Sequence, residues 1–218
     1  MPSPPREANI GRAIFIHCGL TGFLTRADAT NIFATIKRVV MNGSSGDLSV
    51  MLGAQAACLR LAGRANFNIS HDVRSLLQTL QARGVTRFIL DLRGCVLMDS
   101  TFIGMLARFS LALSAGAVNG GSSRIELLGA GDRIEDMLDN LGVKELFGRL
   151  SSPEDIPAGL APLDLAGGAA ASKRALTETS LDSHRALMEL SEENRMKFKE
   201  VENCLLEDLK NTPPDAKT

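Results

Sequence analysis

Between residues 47 and 160 the apolar positions of the chain switch repeatedly between a period of two and a period of 3.6. SVMLGA (49–54) and AACLRLAG (56–63) read as two strands paired with each other. HDVRSLLQTLQARG (71–84) then places Val73, Leu76, Leu77 and Leu80 on one helical face and stops at Gly84. VTRFILDL (85–92), rich in β-branched and aromatic residues, predicts a buried strand. From Asp99, the residues Ile103, Leu106 and Ser110 recur at helical spacing with Met105, Phe109 and Leu113 beside them, which predicts a helix to about Ala115. SSRIELLGA (122–130) predicts another strand, DRIEDMLDNLG (132–142) a helix closed by Gly142, and VKELFGRL (143–150) a short last helix or strand. The order ββαβαβα describes an α/β fold in which a small mixed sheet is covered by helices.

Punctuation places the boundaries. MNGSSGD (41–47) is a Gly/Ser loop, and SSPEDIPAGLAPLDLAGGAAAS (151–172) has the Pro, Gly and Ala content of a linker. The chain then divides into an N-terminal extension (1–46), a domain (47–160), a linker (161–172), a C-terminal helix (173–210) and a disordered tail (211–218). Within the extension, TRADATNIFATIKRVV (25–40) carries Ile32, Ile36, Val39 and Val40 on one face and predicts an amphipathic helix. Residues 173–210 contain no Gly or Pro and carry Leu187, Leu190, Phe198, Val201, Leu205 and Leu209 as a narrow stripe interrupted by Asn194. Such a stripe predicts one long helix that packs on its own domain or associates with another helix, a second copy of the chain included.

Composition narrows the function. With 44% hydrophobic residues the chain can fill a core, and 24 Lys and Arg against 25 Asp and Glu leave no global field to attract nucleic acid. Cys18, Cys58, Cys95 and Cys204 are scattered without metal-site spacing, and Cys58 and Cys95 lie in apolar runs, as reduced core thiols do. AIFIHCGLTGFL (13–24) is too short to span a bilayer, and no A-x-A-like cleavage site follows it. A cytoplasmic protein without membrane insertion is expected. His17, His71 and His184 fall in different regions without ligand spacing, so no metal site is expected. MDSTF around Ser100 lacks the glycines of a nucleophile elbow, and GAGDRIED lacks the third glycine of a dinucleotide fingerprint. Neither enzymatic activity nor a cofactor is therefore expected.

The most informative stretch is DLRGCVLMDSTFIGML (91–106), where an Asp-Ser-Thr separates a strand-like run from a helix-like one. Asp99 precedes the first helical residue, where its carboxylate can accept from the N–H groups of residues 101 and 102 and meets the positive end of the helix dipole. Met98 and Ile103 occupy the places of a hydrophobic staple. Capping accounts for Asp99 in full, and the ordinary preference for Ser in a first turn accounts for Ser100. The alternative is that the Ser100 hydroxyl, displayed at the first helical position, is a phosphate acceptor beside Asp99.

Several separately spaced segments, LRLAGRANF, FILDLRGCVLMDSTFIGML, IELLGAGDRIEDMLDNLGVKELF and SSPED, together resemble the STAS domain of bacterial anti-sigma factor antagonists over roughly residues 49–160. That family runs strand, Gly, helix, a strand ending in Asp-Leu, then Met-Asp-Ser-Thr-Gly-Ile-Gly, strand, helix and Leu-Gly-x-x-x-Leu-Phe. The resemblance implies that Ser100 is phosphorylated by an anti-sigma serine kinase, with Thr101 the fallback acceptor. It also implies that Asp99, Ser100, Thr101, Phe102, Ile103 and Gly104 bind the partner, an anti-sigma factor or serine kinase. Phe102 stands where the family has Gly. The implied function is a non-enzymatic partner switch in transcription regulation. The alternative is a STAS subunit or scaffold of a transporter or stressosome-like assembly.

Overall fold

A computed structural model of the protein describes residues 37–38, 47–115, 124–163, 166–167 and 171–213. Its elements are β1 (Lys37–Arg38), β2 (Asp47–Leu52), β3 (Ala56–Ala65), α1 (Phe67–Ala82), β4 (Arg87–Met98), α2 (Ser100–Ala115), β5 (Arg124–Leu128), α3 (Asp132–Asn140), a 3-10 turn (Lys144–Leu146), β6 (Gly148–Leu150), a second 3-10 turn (Pro153–Asp155), β7 (Ala161–Leu163), β8 (Ala166–Gly167), α4 (Lys173–Leu190) and α5 (Glu192–Asn211). The main sheet has the order β6-β5-β4-β3-β2-β7, antiparallel on both sides of β2 and parallel from β3 to β6. Phe88, Leu90 and Leu92 of β4 meet Val73, Leu77 and Leu80 of α1 and Phe102, Leu106 and Phe109 of α2 in one core. The Phe88 and Phe109 rings pack edge to face at 5.2 Å. This is the mixed α/β layer that the alternation of periods predicts.

Three elements depart from the sequence pattern. The strand read as 85–92 runs to Met98, although Arg93 and Gly94 end its apolar run; its extension pairs with Ala62–Ala65 across two register shifts. Gly63 takes φ 77° at one shift, and a Cβ on Gly94 would stand 3.1 Å from the Cβ of Ala62, so small residues let the two strands continue side by side. Helix α1 starts at Phe67, four residues before the stretch read as helix, because Asn66 caps it by accepting from the Asn68 N–H at 3.2 Å. Ala161–Leu163, inside the stretch read as linker, adds a strand to the edge at β2.

The helix read over 25–40 lies outside the described residues except at Lys37–Arg38, which pair instead as a short parallel strand with Ala166–Gly167. Residues 214–218 of the tail also lie outside them, while Asn211 still belongs to α5.

The C-terminal region is helical as its composition predicts, but it folds back on itself at Ser191. There the backbone is extended (φ −156°, ψ 154°), and the side chain accepts from the Asn194 N–H at 3.1 Å to start α5. Arg185–Glu202 at 2.6 Å and the bonds from Arg174 to the carbonyls of Leu209 (3.2 Å) and Thr212 (2.9 Å) close the hairpin. Leu187 and Phe198 of the apolar stripe are buried in the domain core, and Asn194, the interruption in that stripe, is buried too. Its Nδ2 donates to the carbonyls of Leu141 and Leu187 at 2.9 and 3.1 Å, tying the hairpin bend to the end of α3.

Candidate functional site

The site lies where β4 ends. Asp99 accepts from the Phe102 N–H at 2.8 Å through Oδ1, the capping bond that its place before α2 predicts. Oδ2 accepts from the Phe67 N–H, also at 2.8 Å. One carboxylate thus holds the N-terminal ends of α1 and α2 together, a bond between residues 32 apart in sequence that local pattern does not reveal. Burial pushes the Asp99 carboxyl up from the usual range, and the Phe102 and Phe67 amides pull against that shift.

Ser100 is half-buried rather than displayed. Its Oγ lies 3.1 Å from Nε2 of His184, a residue 84 positions away on α4. The other ring nitrogen, Nδ1, is 2.8 Å from the Ser180 carbonyl. A carbonyl oxygen only accepts, so Nδ1 carries the proton, Nε2 offers its lone pair, and the Ser100 hydroxyl donates to it. Burial lowers the His184 pKa and favours this neutral ring, which also packs against Phe198 at 4.9 Å.

The neighbouring residues divide between the core and α4. Phe102 and Ile103 are fully buried in the core, so the Phe102 ring is absent from the surface. Thr101 is buried with Oγ1 3.0 Å from the Ser180 Oγ. A Cβ on Gly104 would come within 2.4 Å of the Ser183 carbonyl oxygen, so α4 crosses α2 with backbone nearly against this residue. Two further bonds seat α4 on α1: His71 Nδ1 to Thr179 Oγ1 at 3.0 Å and Arg74 to Asp182 at 2.9 Å. The open partner surface expected at 99–104 is therefore closed in this structure, because the C-terminal helix lies over it. A cleft of about 120 Å³ remains along the seam, among Arg74, Gln78, Arg108, Phe109, Asp182 and Ser183.

His184 is the site residue that sequence reasoning missed. Thr177, Ser180, His184 and Leu187 recur at helical spacing and are all buried, so the signal was a stripe of hydroxyl and imidazole groups continuing the apolar one. Away from this site, buried Asp91 is held by Arg60 Nε at 2.9 Å and by Arg93 Nε and Nη2 at 2.9 and 2.8 Å, which bring its carboxyl down to about 2. Cys58 and Cys95 are buried free thiols, Cys204 is an exposed one, and Cys18 lies outside the described residues. Among the described residues no helix is long and apolar enough to cross a membrane.

No family model matches the sequence, and none of the curated proteins does. Solved structures do match. The unphosphorylated form of the anti-sigma factor antagonist SpoIIAA aligns with 51% of this chain and 93% of its own, at 19% identity and a TM-score of 0.43. An anti-sigma factor antagonist from Mycobacterium paratuberculosis aligns with 53% of this chain and 94% of its own, at 12% identity and a TM-score of 0.43. The overall structure of SLC26A9 aligns with 59% of this chain and 25% of its own, at 12% identity and a TM-score of 0.37.

Proposed function

We propose that the protein is a non-enzymatic regulatory protein of the anti-sigma factor antagonist kind, which exchanges protein partners according to the phosphorylation of Ser100. The observation that carries this reading is the place of Ser100. It opens α2 directly after the carboxylate that fixes the starts of both α1 and α2. A phosphate there adds about −1.5 to −2 charges beside Asp99 at the junction of two helices, where a change in charge alters the surface that both present.

The hydrogen-bond order from Ser100 to His184 is also that of a nucleophile and its base. Three observations favour regulation over catalysis. Nδ1 of His184 is held by a backbone carbonyl, α4 lies over Ser100, and the cleft along the seam is lined by neither Ser100 nor His184. Thr101 is the second acceptor in rank, since its hydroxyl is buried against Ser180.

The test is phosphosite mapping after incubation of the full chain with a serine kinase of the anti-sigma type, with partner capture compared for Ser100→Ala and Ser100→Asp. Phosphate on Ser100 is expected. Capture by Ser100→Asp should be tens to hundreds of times weaker than by Ser100→Ala, corresponding to roughly 2–3 kcal/mol. Phosphate found only at other residues, or equal capture by the two variants, overturns the reading and leaves Asp99-Ser100 as a helix cap.

A further inference from the structure

We propose that the α4–α5 hairpin is a built-in occupant of the Ser100 surface, seated while the serine hydroxyl is free and displaced when that serine is phosphorylated. This inference rests on the reading of Ser100 as the phosphorylated residue. An external partner of the unphosphorylated chain takes the same surface in exchange for α4, and the phosphate that displaces α4 opposes that partner too; α4 shows what such a partner presents, a helix whose contacting face is small and hydroxyl-bearing.

Geometry identifies the occupant. Gly104 leaves no room for a Cβ beneath the Ser183 carbonyl, a fit that only a closely approaching backbone uses. The seam is made of side-chain polar pairs, Ser100–His184, Thr101–Ser180, His71–Thr179 and Arg74–Asp182. Water replaces such bonds when the helix lifts, so each contributes little net stability, and a seam of this kind opens more readily than an apolar one of equal size. The apolar and amide anchors Leu187, Phe198 and Asn194 sit toward the bend at Ser191. The polar half of α4 is therefore the half that lifts, carrying the end of α5 with it through Arg174.

Phosphorylation acts on the bond at the centre of the seam. The hydroxyl of Ser100 donates its proton to Nε2 of His184; a phosphoester oxygen has no proton to donate. Lone pairs of the phosphate then face the lone pair of Nε2, with the Asp99 carboxylate one residue away. Protonating His184 would restore a donor, but the 3.1 Å between Oγ and Nε2 has no room for a phosphate, so the ring must move away in either protonation state and relief comes by undocking. Reciprocity follows: a chain whose hairpin is lifted is the better kinase substrate, and a phosphorylated chain holds its hairpin open.

The experiment is hydrogen–deuterium exchange on the full chain, comparing peptides within 173–190 with β4 peptides as an internal reference. Ser100→Glu and Gly104→Ala should each speed exchange in α4 by about tenfold or more while β4 stays protected. Ser100→Ala should speed it no more than a few-fold, since the Gly104 fit and the other three pairs remain. Asp182→Lys, a change at a partly exposed position that sets a cation against Arg74, should also loosen α4 without touching the core. It serves as the opening variant if Gly104→Ala unfolds β4. Unchanged α4 exchange in the opening variant would overturn the built-in occupant. Fast exchange there with no response to Ser100→Glu would overturn the coupling to Ser100. Neither result bears on whether a kinase modifies Ser100, which the phosphosite map decides separately.

Discussion

Replacing His184 is the sharpest test of how α4 is held. His184→Ala removes the acceptor of the Ser100 hydroxyl (3.1 Å), the donor to the Ser180 carbonyl (2.8 Å) and the ring contact with Phe198 (4.9 Å). Two hydrogen bonds contribute about 1 kcal/mol each and the ring contact about 1 kcal/mol. The void left by a ring that is only 4% exposed adds to these, for a total of about 3–4 kcal/mol. The Ser100 bond crosses to the domain while the Ser180 bond and the Phe198 contact lie within the hairpin, so the loss loosens both docking and the hairpin itself, and hydrogen exchange in α4 should accelerate a few hundredfold while β4 is spared. A pH arm isolates the imidazole. Undocked, the ring takes up a proton near its ordinary value of 6.5; docked, burial lowers its pKa. The undocked state therefore binds more protons between these values, and acidification from about pH 7 to pH 5 weakens docking of the wild type. His184→Gln, which keeps an acceptor for Ser100 but does not titrate, should lose that acid sensitivity. Asp99, the carboxyl facing the ring, is present in both proteins, so the difference between their profiles reports His184. A loss below about 0.5 kcal/mol in His184→Ala, or identical pH profiles for wild type and His184→Gln, would refute the hydrogen-bond assignment.

Two further outcomes follow from buried polar groups. Asn194→Leu strands the carbonyls of Leu141 and Leu187 and should lower stability by about 2–3 kcal/mol, read as a fall in the urea midpoint at constant m; an unchanged midpoint would mean those carbonyls find water. Asp91, whose carboxyl is brought down to about 2, contributes stability that is present above its unfolded value of 3.8 and lost as pH falls toward 2. After allowance for solvent around the half-exposed Arg60 and Arg93, this is about 1–2 kcal/mol. Asp91→Asn should flatten the acid limb of the stability curve between those values, and an unaltered limb would count against the pairing.

The elements of the domain were legible because each carries its own period. Val73, Leu76, Leu77 and Leu80 could only be one face of a helix, and RFILDL could only be a covered strand. What was illegible depends on distance along the chain. β4 continues past Gly94 because Ala62–Ala65 offers a partner, and no local rule contains that information. Asp99 could be read as a cap of its own helix, but its second oxygen serves Phe67, which only the packed fold brings near. The 191st residue illustrates a weaker signal: Ser followed three residues later by Asn, within a run free of Gly and Pro, looks like helix interior until the side chain is seen capping a new start.

The apolar stripe of the C-terminal region led to a related difference. Counting Leu187 through Leu209 as a seam left open whether it packs on its own domain or on another helix, because apolar side chains are only the usual sign of a packed face. Leu187 and Phe198 do pack, but in the domain core of the same chain. Between Thr177 and His184, α4 buries Thr177, Thr179, Ser180, Ser183 and His184, with Leu181 the one apolar side chain among them. Such a face is tolerated because every polar group in it finds a partner: Thr177 and Ser183 bond carbonyls one turn back, while the others reach α1 and α2. An apolar face in its place would hold α4 more firmly and would have no means of sensing a change at Ser100. The polar face makes docking depend on whether each donor still meets an acceptor, and the Ser100 hydroxyl is the donor that phosphorylation would remove.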